Sequence, residues 1–465
     1  MHRWLLVTGW WGIMAAASLH AAPPNVVVIF CDDLGYGDLA CYGHPTIATP
    51  NLDRMAAEGL RATQFYVAAS VCTPSRAALM TGRLPVRTGM CGNRRVLFPD
   101  SIGGLAPSET TIAEMLRHAG YRTHMVGKWH LGHRPEYLPT SHGFETYFGI
   151  PYSNDMDSVA SDDPDKKGRK RFDDPDWRDF NVPMLSGTSE DGCTVVERPV
   201  DQTTLTRRYT DRAVDHIAAD DDRPFFVYLA HSLPHVPLFR SDEFVDHSIA
   251  GIYGDVIEEI DHGVGRVLDA IETRGVTDQT LVVFTSDNGP WLTFKRQGGS
   301  SGPLREGKGT TFEGGMRVPA IFRMPGTIAA GRIDAGLAST MDILPTVAAM
   351  AGVDPPASKL DGHDLTGWLS GRSDSPRHVV HFYRDTRLMA IRRDDYKAHF
   401  VTQNAYGGDT RPVRHDRPLL YDLAADAGER YDVAEQYPDV VDAMEKLRDD
   451  HQSELNPPPS QLDRR

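Results

Sequence analysis

The chain has 465 residues, 40% of them hydrophobic, and a formal net charge of −15. A length and mean hydropathy of this kind (−0.38) describe a soluble globular protein of two domains with a large core. The acidic balance excludes a general nucleic-acid binder, which needs a basic face.

In chain order, the first feature is an apolar run, Trp4 to Ser18, preceded by His2 and Arg3 and followed by small residues ending at Ala21 and Ala22. Charge, apolar core and small residues in that order predict a secretory signal peptide over 1–22, cleaved between Ala17 and Ala22 and too short for a stable membrane span. The expected location is therefore periplasmic or secreted, where disulfides persist. Five cysteines are present, so at least one is unpaired or chemically special.

Three runs, Asn25–Cys31, Phe225–Ala230 and Thr280–Ser286, are β-branched or aromatic and apolar nearly throughout. They are predicted as strands buried on both faces. Helical patterns separate them, such as the one from Thr110 to Gly120 with its threonine cap. Strands alternating with helices give an α/β fold with a largely parallel sheet, here over 23–370. From Ser153 to Val200 the chain is rich in Asp, Gly, Pro and Ser and reads as a long surface insertion, with the basic cluster Lys166–Arg171 as a solvated loop. Residues 371–465 read as a smaller antiparallel sheet with one packing helix and a Pro-rich tail at Asn456–Ser460.

Polar clusters follow all three apolar strands: Asp32-Asp33, then His231 to His235, then Asp287-Asn288-Gly289. Ligands of open α/β sheets bind beyond the carboxyl ends of strands, which makes this edge the expected active site. Either pair alone, Asp32-Asp33 or Asp287-Asn288, is equally well a turn or a cap. Two pairs offering only oxygen donors favour Ca²⁺ or Mg²⁺ over zinc.

Cys72 precedes Thr73, a good N-cap, and Pro74, suited to a first helical position. At a helix N-terminus it reads as a low-pKa thiolate nucleophile or as a buried structural cysteine. Arg76, one turn on, turns an anion-binding fork toward that end. His118, His124, His133 and His142 read as surface or capping residues, and His235 as packing or a substrate contact. Gly302 to Gly309 nearly spells a phosphate-binding loop, but Gly309 replaces the required hydroxyl residue and no apolar strand precedes it.

The segment Cys72-Thr-Pro-Ser-Arg76, with Thr81-Gly-Arg83 downstream, resembles the motif of the type I sulfatases, whose cysteine is oxidised after translation to formylglycine. The resemblance extends through Pro24 to Asp38, Gly127-Lys-Trp-His-Leu-Gly132, Gly149 to Asn154, Asp287-Asn-Gly-Pro290, Gly307 to Gly315 and Leu419-Leu-Tyr-Asp422. It is closest to the arylsulfatase A-like and N-acetylgalactosamine-6-sulfatase-like branch, and it implies an alkaline-phosphatase-like large domain. It also implies a sulfuric ester hydrolase matured by a separate sulfatase-maturation enzyme.

The family's roles fall on matching positions. Formylglycine at 72, hydrated to a diol, would bind Ca²⁺ (rather than Mg²⁺) held by Asp32, Asp33, Asp287 and Asn288, with Asp287 helping to deprotonate it. Arg76 and Lys128 would hold the aldehyde-derived group. Lys308 and His231 would bind sulfate and protonate the leaving alcohol, and His130 would remove the last hydroxyl proton. Ser153 and His415 are added as substrate contacts. A thiolate attacking sulfur would leave an adduct with no internal route to collapse, whereas a diol keeps a second hydroxyl that expels sulfate.

The implied substrate is a sulfated carbohydrate, with aryl sulfates also turned over. The competing readings are a phosphonate monoester or phosphodiester hydrolase of the same superfamily, and a non-catalytic glycan-binding relative. Cys31 departs from the family, standing where alanine is common beside the metal aspartates.

Overall fold

The computed structural model describes residues 23–159, 170–173, 175–406 and 409–465. The signal-peptide assignment, and most of the Lys166–Arg171 cluster, lie outside the described residues. The strands, in chain order, are β1 (Asn25–Cys31), β2 (Leu60–Tyr66), β3 (Arg122–Gly127), β4 (Thr146–Gly149), β5 (Met184–Thr188), β6 (Gly192–Glu197), β7 (Phe225–Ala230), β8 (Thr280–Ser286), β9 (Arg317–Arg323), β10 (Arg332–Asp334), β11 (Ala338–Ser339), β12 (Val379–Arg384), β13 (Arg387–Arg393), β14 (Tyr396–Thr402) and β15 (Val413–Asp422).

The larger sheet runs β10-β2-β9-β8-β1-β7-β3-β4-β5-β6, with β11 beside β2. Its centre, β8-β1-β7-β3-β4, is parallel. The antiparallel β9 joins β8 to β2, and the antiparallel β5 and β6 close the other edge.

The three apolar runs are buried at every position because helices cover both faces. Alternate residues of β1 feed opposite cores. Val26, Val28 and Phe30 pack with residues of helices Cys72–Thr81, Ile112–His118 and Ile343–Ala351. Val27, Ile29 and Cys31 pack with helices Pro50–Ala57, Leu205–Ala218 and Ile252–Thr273. Each such side chain contributes about 1.5–3 kcal/mol of burial, which explains why the run is continuous rather than alternating. Helix Ile112–His118 starts at a capping box, with Thr111 accepting from the Glu114 amide and Glu114 accepting in return.

The second sheet, β12-β13-β14-β15, is an antiparallel meander, covered by helix Pro438–Ser453 through Val441 and Met444. No helix among the described residues is long and apolar enough to cross a membrane.

Two expectations are corrected. The 153–200 segment is not simply a surface loop, because β5 and β6 form an edge hairpin within it and Ser153 and Asn154 are buried. The edge strand β6 is mostly exposed and lacks the apolar alternation that announces a strand. His124 and His142 are buried rather than superficial. The His124 ring stacks on His216 at 3.8 Å between centroids, and His142 lies 5.9 Å from the Trp129 ring.

Candidate active site

Four neighbouring parallel strands end at one level: Cys31 is level with Ser286, Phe30 with Ala230, and Ala230 with Gly127. The residues that follow them therefore meet at one edge. Gly127 is required there. Its φ is +108°, and a Cβ at this position would lie 1.8 Å from the Ala230 carbonyl oxygen. That close approach sets Lys128 beside Asp32.

The side chains form one buried ionic web. Arg76 donates from Nε to Asp287 Oδ2 at 2.9 Å and from Nη1 to the Lys128 carbonyl at 2.9 Å. Lys128 Nζ donates to Asp32 and, at 3.1 Å, to Ser153 Oγ. Lys308 Nζ lies 2.7 Å from the Asp33 carboxylate and 3.7 Å from Cys72 Sγ. Asn288 Nδ2 donates to Asp33 Oδ1 at 2.6 Å, and the Asp33 amide donates to Asp287 Oδ1 at 3.1 Å. Asp33 and His130 both hold left-handed backbone, at φ +68° and +61°. Such strain in non-glycine residues persists only where surrounding contacts over-determine it.

Two oxygens in this web are orphans: Asp32 Oδ1 and Asn288 Oδ1 are buried without a hydrogen-bond partner. Buried oxygens normally find a donor or a cation. Ligand atoms of Asp32, Asp33, Cys72 and His235 also lie within 4.8 Å of one another. The donor set and its unpaired oxygens fit a hard divalent cation.

Without a cation, the electrostatics of the site runs against one sequence reading. Burial raises the Cys72 thiol far above its usual range, and Asp32 adds to the effect against the pull of Lys128 and Lys308. The thiolate is thus disfavoured. A helix N-terminus offers about 0.3–1 kcal/mol, too little against desolvation beside carboxylates. Thr73 is not the cap either. The helix begins at Cys72, and the Thr73 hydroxyl instead donates to the His130 carbonyl and accepts from the Leu97 amide. Asp287 is raised to about 7, by burial first and then by Asp32. Asp32 itself, despite burial, is held well below the carboxylate range by Lys128, His235, Arg76 and Lys308.

The two histidines of the β7 loop part company. His231 continues the strand ladder, its amide donating to the Phe30 carbonyl at 2.9 Å. Both its ring nitrogens are buried without a hydrogen bond, and burial alone lowers its pKa to about 4. His235 lies past the bend. Its Nδ1 is 2.6 Å from the Val236 carbonyl and its Nε2 3.7 Å from Asp33 Oδ2. The structure therefore brings His235 into the cluster, while no hydrogen bond or ion pair ties the His231 ring to it.

His130 is positioned by Nε2, which lies 2.8 Å from the Leu97 carbonyl and must carry the hydrogen, since a carbonyl only accepts. Nδ1 is left without a partner. Asp155, not anticipated, is a further carboxyl near the site. Burial raises its pKa, opposed by Lys128 and Lys308 and by a hydrogen bond from Ser153. His415 sits apart on β15, partly exposed, with Nε2 2.9 Å from Thr402 Oγ1. All five cysteines are unpaired.

The chain is similar to known proteins over nearly its whole length. A sulfatase family model matches residues 24–353, and one for the C-terminal region of aryl-sulfatase matches 375–465. Arylsulfatase A of Homo sapiens is 45% identical over 458 residues, covering 94% of this chain and 89% of the relative. N-acetylgalactosamine-6-sulfatase of Mus musculus is 39% identical over 491 residues, covering 98% and 91%. The crystal structure of the PsFucS1 sulfatase from Pseudoalteromonas sp. superposes with a TM-score of 0.82 at 30% identity, covering 93% of this chain and 90% of that one. With ordered carboxylates, lysines and cysteine at the edge of an alkaline-phosphatase-like sheet, and relatives matched over nearly their whole length, the chain belongs to the sulfatase family and is a sulfuric ester hydrolase.

Proposed function

We propose that this sulfatase hydrolyses sulfate esters of carbohydrates, and aryl sulfates as well, using a formylglycine made from Cys72 and a Ca²⁺ held by Asp32, Asp33, residue 72, Asp287 and Asn288. The observation that carries this reading is the placement of Cys72, buried 3.7 Å from Lys308 Nζ and grouped with the Asp32 and Asp33 carboxylates, at the position the family motif gives to the modified cysteine. Oxidation to the hydrated aldehyde supplies an oxygen nucleophile and a second hydroxyl through which sulfate is later released. A bound divalent cation supplies Lewis-acid charge that lowers the pKa of that nucleophile.

The remaining work belongs to the protein's own side chains. Arg76 fixes Asp287 and Asp32 in place, and Lys128 and Lys308 present positive charge to the sulfuryl oxygens in a dry site. Ser153, bonded to Lys128, lies within the same contact set. We assign to His235 the sulfate contact and the proton for the leaving alcohol, in place of His231. His130, kept neutral by burial and Lys128, offers Nδ1 as the base. The carbohydrate assignment is supported by the relative named N-acetylgalactosamine-6-sulfatase. We further propose export on the 1–22 signal peptide, maturation by a separate enzyme, and division into a 23–370 catalytic unit and a 371–465 C-terminal unit.

The test is the mass of the peptide containing residue 72, from protein expressed with a sulfatase-maturation enzyme, paired with sulfate release. Replacement of the thiol by an aldehyde, and loss of turnover in Cys72→Ala with an unchanged circular dichroism spectrum, are the expected results. A tenth of wild-type activity surviving in Cys72→Ala would remove residue 72 as nucleophile. Faster cleavage of a matched aryl phosphonate than of the sulfate would move the protein to the phosphonate hydrolases.

A further inference from the structure

Beside the ionic web lies an aromatic surface to which the roles above give no task. Trp291 follows Asp287–Pro290 out of β8, and its ring centroid is 4.3 Å from Lys308 Nζ. His235 packs on the same indole at 5.3 Å between centroids, and Phe294 meets it edge-on at 4.8 Å. From the second sheet, the β14–β15 connection brings Tyr406 to Trp291, with centroids 5.5 Å apart and planes tilted by 39°. Tyr406 is 39% exposed and the neighbouring Leu292 38%, so part of this wall faces solvent.

The residues leading to Tyr406 are seated, not merely adjacent. Arg384 Nη1 donates to the Gln403 and Asn404 carbonyls at 3.3 and 3.0 Å, and Gln403 Nε2 donates to the Thr410 carbonyl at 2.8 Å. A Cβ added at Gly309, the residue after Lys308, would lie 2.9 Å from Ala405 Cβ. The C-terminal sheet thus carries Tyr406 onto the rim of the sulfate-holding cluster. The ionic web sees only the sulfate, which every sulfate ester shares, so selection among esters must come from surfaces next to it.

We propose that Trp291 and Tyr406 form the leaving-group subsite, stacking the flat apolar face of the group that carries the sulfate, with Tyr406 as a specificity-determining residue; this rests on the sulfatase reading of the site. The shared chemistry is a flat face rich in C–H or π surface, found on an aryl ring and on one side of a pyranose.

The mature enzyme, Tyr406→Ala and Tyr406→Phe are compared on 4-methylumbelliferyl sulfate and on a hexose 6-sulfate, with propyl sulfate as a competitive inhibitor that has no flat face. Stacking of this kind predicts a KM raised roughly two- to tenfold in Tyr406→Ala, with kcat within about twofold of wild type. Tyr406→Phe should stay near wild type, and inhibition by propyl sulfate should be the same in all three. Whichever flat ester shows the larger KM ratio identifies the source as aryl or pyranose. Unchanged KM on both flat esters, or an equal weakening of propyl sulfate, overturns the proposal. Calorimetric binding of the two flat esters to full-length Cys72→Ala, with and without Tyr406→Ala, keeps the two readings apart. If wild type turns over no ester, the sulfatase reading fails, while a Tyr406-dependent loss of binding still upholds the subsite and its absence still refutes it.

Discussion

A proton must reach the departing alcohol, and the ring nearest the site is His235, whose Nδ1 carries its hydrogen to the Val236 carbonyl and whose Nε2 faces Asp33 at 3.7 Å. Burial and Lys308 hold its pKa well below the ordinary histidine value, so it acts as the acid only once the negative charge of a bound sulfate favours its protonated form. Proton transfer by a positioned side chain contributes about 10²–10⁴-fold, so His235→Ala should lower kcat on a poor-leaving-group sulfate by that order. His231→Phe should keep kcat within a few-fold, its ring being enclosed without a polar partner. Steady-state kinetics on the two variants checks both, and a larger loss in the His231 variant would reverse the assignment. On the metal side, Asp287→Ala should lower both bound calcium, read by atomic emission, and kcat. The carboxylates of the site were legible in the sequence because parallel strands deliver whatever follows them to one edge, whereas Lys128 and Lys308 were reached only through the family resemblance. The histidine was not legible, since it depends on how far the β7 ladder runs past Ala230 before the chain bends, and both histidines share one short loop.

Among the elements, the C-terminal tail does more than end the chain. The Gln461 amide donates to the Gly89 carbonyl at 2.8 Å, and the Asp463 carboxylate accepts from the Asn93 and Arg94 amides at 3.1 and 2.9 Å. Leu462 is fully buried in the core beneath the parallel sheet. The 89–104 segment so braced carries Leu97, whose carbonyl orients His130 and whose amide meets Thr73. Leu462→Ala should therefore cost about 2–5 kcal/mol of stability, read from denaturant midpoints, and lower kcat through a looser His130. A stability loss with kcat intact would show that the tail supports the fold alone. The Pro-rich composition announced a tail but not its docking, because a single apolar residue in a polar run carries no periodicity.

At the scale of the molecule, the two sheets are joined by a buried network of charge. Lys397 on β14 lies 3.0 Å from both Glu313, just before β9, and Glu429; Glu429 is 2.7 Å from His399 Nε2 and accepts from the Glu313 amide at 2.7 Å. Tyr66 and Arg392 extend it across the interface. Glu313 closes the loop that begins at Lys308, so the network reaches toward the site as well as across the sheets. Burial opposes ionisation of Glu429, yet Lys397 and the His399 hydrogen bond hold its pKa down at about 2, from an ordinary 4.5. A carboxyl depressed on folding stabilises fully above its unfolded pKa, so this contribution is present above about pH 4.5 and is lost as the pH falls toward 2. His399, lowered mainly by burial, adds loss on the same side, since the unfolded chain takes up its proton more readily. Lys397→Met leaves two buried carboxylates without their shared cation, a change worth about 3–5 kcal/mol. Acid titration of the variant, followed by tryptophan fluorescence, should show a lower stability at neutral pH. Its two uncompensated carboxylates should also rise in pKa, so the variant's stability should depend less steeply on pH below 4.5 than that of wild type. An unchanged acid slope would mean that the glutamates are held by Arg392 and Tyr66 rather than by Lys397, and that the sheets are joined through the β2 side of the network instead.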